Sequence, residues 1–299
     1  MQKDSILEQL PQIQQDVLLK DFTTFKIGGI AKYFLVARSN EEIISALKTA
    51  KENNLPFFVI GGGSNVLIQD KYFNGLVIKI QNSNFSVKED GKGKEIEMQA
   101  GANLSKLVQL SFEYCLTGIE WAIGLPGTIG GAVRGNAGAI DGCMSSIVKE
   151  VQVFDLNDLQ TKTFSNADCR FSYRESIFKS NKNLFVLSAK IFLPLGEKSA
   201  IRKKADEIFQ KRRDSQPYDY PSAGCVFKNP ENMSAGKLIE DAGLKKMQIG
   251  GAQISDKHAN FIINTKDATS DDVLALKNLI KEKIKEKFNI ELEEETQTF

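Results

Sequence analysis

Apolar residues recur at two spacings along this 299-residue chain, and each spacing predicts one kind of element. Tyr33-Phe34-Leu35-Val36-Ala37 and Phe57-Phe58-Val59-Ile60 are short apolar runs of strand type. Between them Ile43, Ile44, Leu47 and Ala50 share one face of a helix that Asn40 caps, so the three segments predict a βαβ unit. Residues 5–18 predict an opening helix, and 76–80 a further strand. A strand over 95–100 leads into a helix capped by Asn103, with Leu104, Leu107, Val108 and Phe112 at helical spacing. Residues 148–154, 171–178 and 184–193 predict strands of a larger sheet.

A basic helix over 199–213 and the turn-rich stretch Gln216-Pro217-Tyr218-Asp219-Tyr220-Pro221 place a domain boundary near 214. Beyond it, Phe261-Ile262-Ile263-Asn264 predicts a strand, and Thr269 or Ser270 caps a long helix packed through Val273, Leu276, Ile280 and Ile284. Asp271 and Asp272 open that helix and Lys283, Lys285 and Lys287 close it, as the helix dipole favours. The expected organisation is an α+β region over 1–214, with subdomains of about 1–80 and 81–214, followed by a small α/β domain over 215–299.

Charge narrows the function classes. Lys plus Arg number 39 against 38 Asp plus Glu, so a net charge of +1 provides no field for nucleic acid or an anionic membrane. The clusters Arg202-Lys203-Lys204 and Lys211-Arg212-Arg213 alternate with Ala205, Ile208 and Phe209, which predicts the solvated face of an amphipathic helix. The opening Met1-Gln2-Lys3-Asp4-Ser5-Ile6-Leu7-Glu8 is charged where a secretory signal needs an apolar core, and no apolar run reaches bilayer-spanning length, so a cytoplasmic protein is expected. Cys115, Cys143, Cys169 and Cys225 are far apart and form no Cys-x-x-Cys pair, which points to free thiols and to no metal site. His258 is the only histidine and is expected to be structural. A chain this poor in imidazole takes its acid or base from elsewhere, or its hard chemistry from a cofactor.

The glycines agree with a cofactor. Six of 23 fall between Gly124 and Gly138, and Gly61-Gly62-Gly63-Ser64-Asn65 follows the strand at 57–60 directly. Such loops bare backbone N–H groups to a bulky anionic ligand. The first loop leads into Val66-Leu67-Ile68, which is of extended type where a P-loop or dinucleotide fingerprint would open a helix. The second, Gly124-Leu125-Pro126-Gly127-Thr128-Ile129-Gly130-Gly131-Ala132, predicts a proline-fixed turn and a short helix whose start offers N–H groups to a diphosphate, with Asn136-Ala137-Gly138 extending a small-residue surface for a flat ring. The competing reading is a tight turn and a close-packed helix pair.

Three further segments stay open on residue type alone. Tyr173-Arg174-Glu175-Ser176 reads as extended, so that Arg174 either points inward to a carboxylate or phosphate or lies on a strand edge. Cys225, in Ser222-Ala223-Gly224-Cys225-Val226-Phe227 and followed by Lys228 and Asn229, is either a proton-bearing thiol or a buried structural cysteine. Glu293-Glu294-Glu295 reads as a solvated acidic tail.

Taken in order, these pieces resemble the bacterial flavoenzyme family of UDP-N-acetylenolpyruvoylglucosamine reductases. The resemblance runs from Thr23-Thr24-Phe25-Lys26-Ile27-Gly28-Gly29 through both glycine loops and Tyr173-Arg174 to Pro221 through Pro230, Ala235-Gly236-Lys237-Leu238-Ile239 and Gln248-Ile249-Gly250-Gly251-Ala252. It implies two N-terminal subdomains holding FAD non-covalently in the manner of the vanillyl-alcohol-oxidase flavoproteins, and a C-terminal substrate-binding domain of the family's shorter, second type. The implied reaction uses NADPH as hydride donor to reduce UDP-N-acetylglucosamine enolpyruvate to UDP-N-acetylmuramate for peptidoglycan precursor synthesis. FAD is implied at Gly61, Gly62, Gly63, Ser64, Asn65, Gly124, Pro126, Gly127, Thr128, Gly130, Gly131, Ala132, Asn136 and Gly138, and substrate at Tyr173, Lys228, Asn229 and Gln248. Arg174 and Glu295 are implied to stabilise an enolate-like species, and Cys225 to protonate it. The chain departs from the family pattern at Cys225, where most members carry serine. It departs again at Thr296-Gln297, where Val-Arg is usual, which makes Glu294 the alternative to Glu295, and at Phe22, where asparagine is common. The competing functions are a flavin-dependent alcohol oxidase of the same superfamily and a catalytically silent nucleotide-sugar-binding protein.

Overall fold

A computed structural model of the chain describes residues 5–139 and 141–299, so Met1 to Asp4 of the charged opening lie outside the described residues. The chain forms two units. One comprises Met1–Gln15, Tyr33–Gly62 and Asn74–Gln210, the other Asp16–Lys32, Gly63–Phe73 and Lys211–Phe299, and each has its own apolar core.

In the first unit, strand Ile30–Ala37, helix Asn40–Glu52 and strand Phe57–Ile60 form the expected βαβ succession. The cap is Ser39 rather than Asn40: the Ser39 hydroxyl accepts the Glu42 N–H at 3.2 Å, while Asn40 Oδ1 accepts from Nδ2 of the buried Asn82 at 2.7 Å. Strand Phe73–Ile80 lies between the other two strands and pairs in parallel with Phe57–Ile60, Ile60 standing opposite Lys79. A five-stranded antiparallel sheet follows, ordered Gln160–Ser165, Val148–Asp155, Leu184–Pro194, Gly93–Gln99 and Phe85–Asp90. Its alternate residues Ile96, Met98, Val151, Val153, Ala189 and Ile191 enter the same core as Leu104 and Leu107 of helix Leu104–Glu113. Asn103 sits at the cap position without a side-chain bond. Its segment is held by backbone instead, Leu104 donating to the Gly127 carbonyl at 3.0 Å and Ile129 to that of Ala102 at 2.8 Å.

Two expected elements are overturned. Residues 5–18 are a short helix, Ser5–Gln9, and a strand, Gln14–Leu18, because Pro11 clashes with the preceding turn and lacks the N–H a helix needs. Residues 171–178 are a turn followed by the short helix Ile177–Ser180, because local backbone bonds close the chain on itself before any strand partner is met.

The second unit holds a four-stranded antiparallel sheet ordered Ser222–Cys225, Phe261–Asn264, Ala252–Ile254 and Gln248–Ile249. Helix Ser270–Phe288 buries Val273, Leu276, Ile280 and Ile284 in one core with Phe227, Ile254 and Ile262. Thr269 is the residue that caps it. Its hydroxyl accepts the Asp272 N–H at 3.1 Å, and Asp272 returns a carboxylate to the Thr269 N–H at 2.9 Å. Thr269→Ala should therefore lower stability by about 1 kcal/mol, read as a shift in thermal or urea midpoint. The Thr269 N–H holds the Asp272 carboxyl below its ordinary value against a weaker opposing effect of burial, with help from the Gly251 N–H and the Thr269 hydroxyl. A carboxyl with a depressed folded value contributes fully above its unfolded value and loses that contribution as pH falls through the folded one. Wild type and Asp272→Asn should converge in acid melts. Among the described residues no helix is long and apolar enough to cross a membrane.

Candidate functional site

In the first unit the two glycine loops touch backbone to backbone. A Cβ on Gly62 would fall 2.8 Å from the Gly127 Cα, and one on Gly61 2.5 Å from Thr128 Oγ1. Lys79 reaches up from its strand to donate to the Gly61 carbonyl, and burial pulls its ammonium below the ordinary lysine value.

The helix Ile129–Arg134 does not offer its start to a ligand as its sequence suggests. The N–H groups of Ile129 and Gly130 each donate at 2.8 Å, to the carbonyls of Ala102 and Ala100. That of Gly131 goes to Thr128 Oγ1 at 3.4 Å, and that of Ala132 to the Thr128 carbonyl at 2.8 Å. The open donors lie just before the helix. Among the described residues, the N–H groups of Gly61, Gly62, Gly127 and Thr128 have no protein acceptor. Beside them, a Cβ on Gly131 would meet only Thr128 Oγ1, at 3.5 Å. Unspent amides and an unfilled glycine face at one contact fit a dinucleotide with an anionic bridge.

The same unit positions Tyr173 and Arg174. Ser172 and Glu175 exchange N–H to carbonyl bonds of 3.1 Å, making a turn with Arg174 at φ +57°. Asn136 clamps it, donating from Nδ2 to the Ser172 carbonyl at 2.8 Å and accepting the Ser145 N–H at 2.9 Å. Arg174 Nη1 donates to the Gly138 carbonyl at 2.8 Å, and its guanidinium lies 5.4 Å from the centre of the exposed Tyr173 ring. The extended reading, with Arg174 and Ser176 on one side, is thus replaced by a turn. Ser176 is buried and donates to the Arg134 carbonyl at 2.6 Å.

In the second unit the acidic tail is a paired segment rather than a solvated one. Lys228 donates through its backbone to the Glu293 carbonyl at 2.8 Å, Glu295 to that of Val226 at 2.8 Å, and Thr296 Oγ1 to that of Cys225 at 3.2 Å. Phe227 therefore stands opposite Glu294, Glu295 opposite Val226, and Thr296 beside Cys225. Glu294 turns the other way, onto Lys277 and Lys281. Burial alone would raise the Glu294 carboxyl, but the hydrogen bonds and charges of the two lysines together outweigh it and hold the group low. Lys228, itself buried, reaches Glu293 Oε1 at 2.5 Å, and Asn229 Oδ1 accepts the Ala235 N–H at 3.0 Å, where helix Ala235–Asp241 begins. Asn65 Nδ2 donates to the Glu295 carbonyl at 3.2 Å, while the Gly63 carbonyl accepts the Thr24 N–H at 3.0 Å. Ser64 lies between them.

Cys225, Lys228, Asn229 and Glu295 are thus brought together on one strand pair. Gln248 is not among them: it is exposed at the far edge of the four-stranded sheet and donates to the Gly250 carbonyl at 2.9 Å. His258 is structural as expected, its Nδ1 accepting the Asn260 N–H at 3.3 Å, with burial and then the Lys245 charge holding it low. No disulfide joins the four cysteines. Sequence reasoning missed Lys79 and Lys277. Both stood on apolar faces, Lys79 inside the run Leu76 to Ile80 and Lys277 four residues after Val273 on the packed helical stripe.

Comparison with known proteins agrees with this geometry. Residues 31–162 match the family model described as FAD binding domain, and 216–299 that of the UDP-N-acetylenolpyruvoylglucosamine reductase C-terminal domain. The reductase of that name from Caldanaerobacter subterraneus subsp. tengcongensis is 44% identical over 274 residues, covering 92% of this chain and 89% of the relative. That from Caldicellulosiruptor bescii is 45% identical over 286 residues, covering 95% and 89%. The crystal structure of the Thermus caldophilus reductase superposes with a TM-score of 0.79 at 34% identity, covering 95% of this chain and 97% of the other. The fold is an FAD-binding region joined to a C-terminal substrate-binding domain. With both family models and near-complete relatives in agreement, this chain belongs to the UDP-N-acetylenolpyruvoylglucosamine reductase family.

Proposed function

We propose that this chain is the NADPH-dependent flavoenzyme that reduces UDP-N-acetylglucosamine enolpyruvate to UDP-N-acetylmuramate. The observation that carries the reading furthest is the antiparallel pairing of residues 225–228 with 293–296, which holds Glu295 opposite Val226, the chain neighbour of Cys225. Residues 1–214 hold FAD in this reading, and 215–299 take the sugar nucleotide, supported by the family-model match over 216–299. The open amides of Gly61, Gly62, Gly127 and Thr128 take the diphosphate, and the bare face of Gly131 takes the bulk of the cofactor. Bound there, FAD supplies the two-electron chemistry that links NADPH to the enolpyruvyl double bond.

The chain's own residues do the rest. Cys225 holds the proton that its Sγ delivers to the substrate carbon, a task a thiol performs at least as readily as a serine hydroxyl because it is the stronger acid. Arg174 and a protonated Glu295 stabilise negative charge growing on the substrate carboxylate. Lys228, Asn229 and Tyr173 orient the sugar nucleotide; for Gln248, at the far edge of the four-stranded sheet, the family resemblance alone supports the same role. The Glu294 carboxylate is already committed to Lys277 and Lys281, which supports Glu295 as the acting group.

The test is anaerobic. NADPH should bleach the flavin absorbance of the purified protein, and UDP-N-acetylglucosamine enolpyruvate should restore it in a single turnover. Flavin that stays bleached with that substrate, yet recovers with oxygen, would overturn the reading in favour of an oxidase.

A further inference from the structure

Glu293, Glu294 and Glu295 are chemically identical, so side-chain type alone does not set which of them stands opposite Val226, next in the chain to Cys225. Slipping a paired strand by one residue exchanges its two faces, which here would bring Glu294 to the place of Glu295. Their lysine partners distinguish them: Lys228 meets Glu293, and Lys277 and Lys281 meet Glu294. Lys277, only 1% exposed within the packed face of helix Ser270–Phe288, meets the Glu294 carboxylate and also donates to Thr298 Oγ1 at 3.2 Å. Burial takes away most of what such a pair gains in net stability, and its best-attested use is to specify register. Beyond Glu294 the tail continues in register, Gln297 and Thr298 pairing in parallel with Val66 and Leu67, and Asn65 donating to the Glu295 carbonyl at 3.2 Å.

We propose that Lys277 is a positioning residue for the reduction: by taking Glu294 from inside the core it locks the tail register, so that Glu295 and no other glutamate stands opposite Val226, next in the chain to Cys225. The proposal rests on the role of Glu295 given above.

Lys277→Met replaces the buried charge with an apolar chain of similar length. The variant should stay folded, bind FAD as before and be reduced by NADPH at the wild-type rate. Exchange of the Glu295, Gln297 and Phe299 amides, which donate to Val226, Asn65 and Leu67, should accelerate at least ~10-fold. Reoxidation by the enolpyruvyl substrate should slow on the order of 10²-fold. A general loss of structure would slow both half-reactions, so this split separates positioning from mere stability. Wild-type amide exchange together with wild-type reoxidation would overturn the proposal. Should Lys277→Met fail to fold, Thr298→Val removes only the hydroxyl that Lys277 reaches, and exchange in the tail must still quicken; no change overturns the proposal equally. Glu295→Gln keeps the two readings apart, because it should block reoxidation while leaving tail exchange untouched. If it reoxidises normally, the role of Glu295 falls, and the exchange data alone judge Lys277.

Discussion

Gly131→Ala should make the first unit more stable and its flavin binding weaker. Gly131 is the third residue of helix Ile129–Arg134, and an added methyl would meet only Thr128 Oγ1, at an ordinary 3.5 Å. Alanine is favoured over glycine inside a helix by roughly 0.5–1 kcal/mol, so the flavin-free protein should melt slightly higher. If the cofactor lies on that bare face, the same methyl overpacks the complex by about 1–3 kcal/mol, or roughly 5- to 150-fold in Kd. Gly62→Ala is the contrasting case. Its methyl would fall 2.8 Å from the Gly127 Cα, and backbone on both loops must move, so stability and binding should drop together. Flavin titration and melting of the stripped protein measure both quantities. Unchanged FAD affinity in Gly131→Ala would place the cofactor elsewhere.

Cys225→Ala should cost on the order of 10²–10⁴ in the substrate half-reaction, the usual worth of a positioned proton donor, whereas Cys225→Ser should retain most of it. The thiol adds a liability that a hydroxyl lacks: alkylation should inactivate wild type and spare Cys225→Ser. That control is needed because Cys115 and Cys143 are also partly exposed and will label. Cys169 should not, since it is buried, and burial, followed by the Asp168 charge, pushes its thiol up to about 12. Mass spectrometry of the labelled protein with parallel single-turnover rates decides the matter. Full activity after complete modification of Cys225 would remove it from the mechanism.

Where local pattern and tertiary environment agreed, the chain was legible from its residues. The stripe Val273, Leu276, Ile280 and Ile284 and the strand Phe261–Asn264 stand where periodicity puts them. The helix–strand break at Pro11 is legible too, because proline's missing N–H is a local property. Residues 171–178 misled for a different reason. Their alternation is compatible with a strand, but a strand exists only with a partner, and here the Asn136 side chain and the Gly138 carbonyl hold the segment as a turn. The helix start at Ile129 has the residues of an anion site, yet Ala100 and Ala102, distant in sequence, take the Ile129 and Gly130 amides, and Thr128 those of Gly131 and Ala132.

Composition and motif order were enough to establish a flavin-binding reductase family, because glycine spacing and short motifs are one-dimensional properties that each segment carries on its own. Which segments share a core was settled only in three dimensions. Thr24 donates to the Ser222 carbonyl at 2.7 Å, and Asn264 to that of Phe25 at 3.2 Å, so residues 16–32 and 63–73 fold with the C-terminal unit despite their place in the chain. Glu294 is likewise met by a lysine buried on the packed face of its helix, and the tail that carries it is held opposite Phe227 by contacts no local pattern encodes.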